Sequence, residues 1–205
     1  MKFQDFLGKV KESEDYSKYI NQNKGAYLCA GFFVLDYQGG KNQSSVDFYN
    51  PTDKKMTTFR FEDKVTAVPL DVSPEMIDKN LIPEKVDGEP ILDLEDLKGI
   101  ILDEMHNRGM TYEIQKIIVV LQHIDDRLIW NCTALLSGLV MLRTHVEDAS
   151  KSVILMEKNS FFDFIKPVQP KPGQSMKDAL EEMQNAEKNK KDPEKSEGEH
   201  EGFIG

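Results

Sequence analysis

Three clusters of chemistry-bearing side chains stand out along the chain. In the first, His145 is followed by Glu147 and Asp148, with Cys132 one apolar run earlier. A Cys–His pair within hydrogen-bond reach would supply a nucleophile and its base. The alternation of a strand argues against that pairing. In "MLRTHVE" it puts Met141, Arg143, His145 and Glu147 on one side and Leu142, Thr144 and Val146 on the other. In "LIWNCTALL" the residues Leu128, Trp130, Cys132 and Ala134 share an apolar side. Cys132 is therefore expected in a core and His145 among charged neighbours, on opposite sides.

The second cluster, His123 with Asp125 and Asp126, offers a metal three ligands, but "HIDD" has the composition of a hairpin turn and brings no fourth group. The third, Asp103 and Glu104 beside His106, reads as the solvated end of a helix. "QGGKNQ" at 38–43 has glycines but neither phosphate-loop pattern, and it falls between two strand-like runs. The reading is of no catalytic residue, no metal and no cofactor.

The elements that carry these residues follow from the apolar spacing. Phe3, Phe6, Leu7 and Val10, then Tyr16, Tyr19 and Ile20, have helical periodicity, with Ser13 as a cap between them and Gly25 in "NQNKG" as a stop. Aromatic and β-branched runs at 26–37, 44–50 and 54–62 predict strands. Residues 64–70 add an edge strand, since Pro69 has no N–H for a central ladder. Residues 71–92 hold three prolines and read as a surface connection. A helix opens at Asp93, with Asp96 three residues on, and Leu94, Leu97, Ile101 and Met105 line one face before Gly109 ends it. Four further β-runs, at 114–124, 127–136, 139–147 and 152–158, are joined by "DD", "SG" and "DASK", the chemistry of tight antiparallel turns.

Composition bounds the function. Hydrophobic residues make up 39% of the 205, with 11 Phe, 6 Tyr and 1 Trp, enough for a real core. Lys and Arg number 26 against 36 Asp and Glu, a net charge of −10, which disfavours nucleic acid. The N-terminal residues lack the apolar run of a signal peptide, and "IIVVL" at 117–121 is too short to span a bilayer, so no membrane partner is expected and the protein is read as cytoplasmic. Cys29 and Cys132 lack disulfide or metal spacing and read as buried thiols.

In the second half, the helix from Asp93, "IWNCT" and then "THVEDASKSVILME" resemble the PepSY-like and cystatin-like group, in which one helix packs across a curled antiparallel sheet. Val146, Asp148, Ala149, Val153 and Leu155 approximate that group's closing hairpin, with Lys151 and Ser152 where its glycine stands. The resemblance implies a non-catalytic binding or regulatory module. The fold expected is α+β. It comprises two helix-plus-antiparallel-sheet units, 1–70 and 93–166, the connection 71–92 between them, and a disordered charged tail, 167–205.

The function expected is a soluble binding module without catalysis, its partner another protein or a second copy of the chain. The alternative is a small enzyme or ligand binder using a pocket between helix and concave sheet. Trp130 is the residue most suited to line such a cleft if it is not core, with Tyr27, Phe33 and Tyr49 comparable in the first half.

Overall fold

Alternation and turn chemistry produce a long succession of antiparallel strands, and the structure, a computed structural model, describes them through residues 2–70 and 82–160. The order is α1 (Phe3–Glu12), α2 (Glu14–Gln22), β1 (Tyr27–Asp36), β2 (Gln43–Asn50), β3 (Lys55–Phe61), β4 (Val65–Leu70), α3 (Leu94–Asn107), β5 (Ile114–Ile124), β6 (Arg127–Leu136), β7 (Val140–Glu147) and β8 (Ser152–Ser160). The expected tail lies outside the described residues, as do residues 71–81 of the expected connection.

The expectation of two helix-plus-sheet units is overturned. All eight strands form one sheet, in the order β4-β3-β2-β1-β5-β6-β7-β8. Each half is a four-stranded antiparallel meander. The two join where β1 pairs β5 in antiparallel register from Gly31↔Leu121 to Asp36↔Lys116. The physical reason lies in β1 and β5 themselves. Each begins its own meander with one free edge, and pairing them removes both edges from solvent. The core is likewise shared: Phe3 of α1 meets Phe33 of β1 at 6.0 Å and Trp130 of β6 at 6.4 Å between ring centroids. A sheet-dominated fold with one core replaces the two cystatin-like units.

The local signals act as their chemistry dictates. The Ser13 hydroxyl accepts from the Tyr16 N–H and separates α1 from α2. The Asp93 N–H donates to the Asp96 carboxylate at 2.9 Å, fixing the first turn of α3. Asp125 and Asp126, at φ 50° and 59°, form the tight turn between β5 and β6, which needs positive φ at both central positions.

The three described helices sit on one side of the sheet. Phe3, Phe6, Leu7 and Val10 of α1 and Leu94, Leu97, Ile101 and Met105 of α3 share a core with Phe33, Val119, Trp130 and Val146. Tyr16 and Tyr19 of α2 lay their rings on Phe48 and Phe59, with centroids 5.3–6.3 Å apart.

Candidate functional site: the second face of the sheet

Alternation leaves a second face. Among the described residues no helix packs on it. Cross-strand register lays it out in rows. Ser45, Phe32, Val120, Asn131, His145 and Leu155 stand side by side from β2 to β8. The next row carries Val34, Ile118, Thr133, Arg143 and Glu157. Leu135 and Met141 extend the apolar part beyond them. Phe32, Val34, Ile118, Val120, Leu135 and Met141 are each half-buried and stand apart from the core under the helices. The centre of this face is therefore an apolar stripe over β1, β5, β6 and β7, with polar groups set around it.

Those polar groups are largely paired with one another. Lys116 Nζ lies 3.0 Å from Asp36 Oδ2, Arg127 3.6 Å from Glu147, and Arg143 3.6 Å from Glu157. On the β2 side, the Thr58 hydroxyl donates to Asp47 Oδ1 at 2.6 Å. Burial raises the Asp47 carboxyl above its ordinary range, against that hydrogen bond and the nearby Arg60 charge. Burial also pulls His145 below the ordinary imidazole value; the Arg143 charge adds to this and Glu157 opposes it. His145 is thus mainly uncharged at neutral pH.

The candidates singled out in the sequence distribute differently. Trp130 and Phe33 have no exposed surface and lie in the core under the helices. The Trp130 indole N–H donates to Asp148 Oδ1 at 2.8 Å, and the same carboxylate accepts the N–H groups of Ile91 (2.8 Å) and Leu92 (3.0 Å). Asp148 therefore ties the end of the crossing segment 82–93 to the sheet just before α3 begins. Tyr27 and Tyr49 are cross-strand partners with rings 5.7 Å apart, and the Tyr27 hydroxyl donates to the Pro83 carbonyl at 2.9 Å. They hold the same crossing segment at its other end. Of the four, none lies on the apolar stripe.

The remaining constellations do not assemble. Cys132 pairs Thr144 on the core side, whereas His145 is on the second face. Burial pushes both Cys29 and Cys132 up to about 12, so neither is a thiolate at neutral pH. Among the described residues no three His, Cys, Asp or Glu side chains come together as a metal would require. The backbone N–H groups of Gln38 and Gly40 donate to Asp36 Oδ1 at 2.8 and 2.9 Å. The Gly40 bond first, then Lys116 and the Gln38 bond, hold that carboxyl below its ordinary range. The loop's amides are satisfied by its own carboxylate rather than aimed at a phosphate. A shallow cavity of about 340 Å³ opens at the β4 edge between Tyr19, Asn50, Lys54 and Leu70. Its Asn50 amide donates to the Asn23 side chain at 2.9 Å.

Sequence reasoning passed over the stripe because it searched for rare residues. The signal was present in "FFVL" (32–35) and "IIVV" (117–120), where apolar residues do not alternate with polar ones. Such runs read as strands with apolar neighbours on both faces, and the helices supply them on one.

The fold has a solved counterpart. A crystal structure from Clostridium difficile 630, named as a "putative lipoprotein", matches with a TM-score of 0.50, covering 78% of this chain and 93% of that chain at 14% sequence identity. At that identity the likeness is one of fold. No protein-family model matches the chain, and no curated protein matches it. Among the described residues no helix is long and apolar enough to cross a membrane.

Proposed function

We propose that the protein is a non-catalytic binding module that receives a macromolecular partner on the second face of its sheet. One observation carries the reading. The two central strands present apolar side chains to both faces, yet all three described helices lie on one. A stripe of half-buried aliphatic and aromatic side chains bordered by paired charges is the composition of an interface: an apolar centre inside a polar rim. Catalysis by contrast needs titratable groups converging on one pocket. Of the shifted groups, Cys29 and Asp47 are neighbours on β1 and β2. Asp36, Cys132 and His145 stand apart at the end of β1, on β6 and on β7, with Cys132 on the core side and His145 on the second face.

A ligand pocket between helices and sheet gains no support. That space is filled by Phe33, Ile101 and Trp130, each with 0% exposure. Two free, buried thiols agree with a reducing compartment and support placing the module in the cytoplasm.

The test is retention on two columns, one bearing the full chain and one bearing Val120→Lys, exposed to the same lysate of the source cell. The reading expects proteins held by the first and released by the second. Identical retention on both would overturn it.

A further inference from the structure

We propose that the occupant of the second sheet face is a second copy of this chain, packed face to face about a two-fold axis. This rests on the reading of that face as a docking surface and names what docks there.

The first argument is shape. The stripe and its immediate rim extend over five strands, β1 and β5 to β8. At about 4.8 Å between strands and about 3.3 Å per residue, seven residues along each, the patch is on the order of 24 Å by 23 Å. A single helix is only about 10–12 Å across and would leave half of that patch uncovered. Another sheet covers it whole, packing about 10 Å away with strands within about 30° of alignment. The patch is roughly 550 Å² in projection and larger as accessible surface. That approaches the roughly 800 Å² per partner of a standard stable interface.

The second argument is charge. The charges bordering the stripe are already matched within one copy: Lys116 with Asp36, Arg143 with Glu157, Arg127 with Glu147. His145, in the middle of the β5–β8 side, is mainly uncharged at neutral pH. The face therefore calls for no charge from its partner, although the chain as a whole carries −10. A basic protein or a polyanion would find no complementary field on it. The same neutral, apolar sheet face satisfies it, and an isologous two-fold contact is the commonest closed arrangement of like subunits. The excess acids then lie outside the contact, where two copies repel, so screening by salt should tighten the association.

Sedimentation of the full chain between about 1 and 100 µM tests this. The expected result is a monomer–dimer equilibrium whose dissociation constant falls as sodium chloride rises from about 50 to 500 mM. Val120→Arg should raise that constant at least about 100-fold, as a charge placed at the centre of an interface does. Leu135→Gln, a milder change on the same face, should raise it about 10-fold. Far-UV circular dichroism and melting of both variants check that they fold.

A dimer that persists in both folded variants uses another surface and overturns the proposal. A wild-type chain that stays monomeric at 100 µM also overturns it. These failures differ from failure of the wider reading. If the chain is monomeric but the lysate columns differ in a protein other than this chain, docking on the face stands and only the second copy falls.

Discussion

Asp148 offers the sharpest energetic prediction, because a nearly buried carboxylate (4% exposed) accepts hydrogen bonds from three neutral N–H donors. Asp148→Ala would leave the Trp130 indole N–H and the Leu92 N–H buried without acceptors, and would free the Ile91 N–H. Each buried donor left unpaired costs about 1–3 kcal/mol. Relief of the carboxylate's own desolvation offsets part of this. The expected net loss is about 3–5 kcal/mol, a large share of the roughly 5–15 kcal/mol of a whole domain. Asp148→Asn keeps one acceptor oxygen but turns an amide donor toward a backbone N–H, and should cost about 1–3 kcal/mol. Trp130→Phe removes the shared donor and some volume, and should cost a similar amount. The double variant should lose less than the sum, with a coupling of about 1–2 kcal/mol.

Urea unfolding followed by far-UV circular dichroism measures all four proteins without relying on the indole. Hydrogen exchange at Ile91 and Leu92 should accelerate with Asp148→Ala, because those amides lose their acceptor. A loss under about 1 kcal/mol for Asp148→Ala, or strict additivity with Trp130→Phe, would refute the role given to this carboxylate.

Three other outcomes are expected. Cys29 and Cys132, both pushed up to about 12 by burial, should react slowly with a thiol reagent at pH 8 in the native protein and rapidly once unfolded; fast native labelling of Cys132 would contradict its core position. Asp47 has its folded carboxyl raised, so its ionisation opposes folding above the unfolded value near 3.8. Asp47→Asn, which keeps an acceptor for the Thr58 hydroxyl, should therefore raise the melting temperature at pH 7, with the gain fading as pH falls toward about 4 and absent below it; a gain independent of pH would count against this. Lys151 sits at φ 55° in the turn before β8, a region that L-residues enter at a cost of about 1–2 kcal/mol. Lys151→Gly should stabilise by about 0.5–1 kcal/mol after glycine's own entropic penalty, and a loss of stability in urea titration would argue against the strain.

Much of the chain's local structure was legible because it is set by neighbours in sequence. The apolar runs at 26–37 and 114–124 matched β1 and β5, Ser13 and Asp93 lie at helix starts, and "DD" and "SG" lie in tight turns. Lys151 stands at a left-handed position, the conformation a glycine would adopt freely there. The joining of β1 to β5 was not legible. It depends on two free edges meeting across the whole of β2 to α3, and no residue in either strand marks its partner. The role of Asp148 was hidden for the same reason, since its three donors come from Trp130 and from residues 91 and 92 across the fold. The apolar stripe could have been read from the two non-alternating runs, had they been weighed above the rarer Trp, Cys and His.

The central claim is that the second face of the sheet is an accessible apolar docking surface in the free chain. Methyl NMR of the full, dilute protein with a neutral gadolinium cosolute tests it residue by residue. Val119 and Ile117 point into the core at 0% exposure, whereas Val120 and Ile118 are half-buried on the second face. The account predicts strong attenuation of the Val120 and Ile118 methyl signals and almost none at Val119 and Ile117. Equal protection of all four in the dilute chain would mean that the chain itself already covers the face, and would contradict the claim.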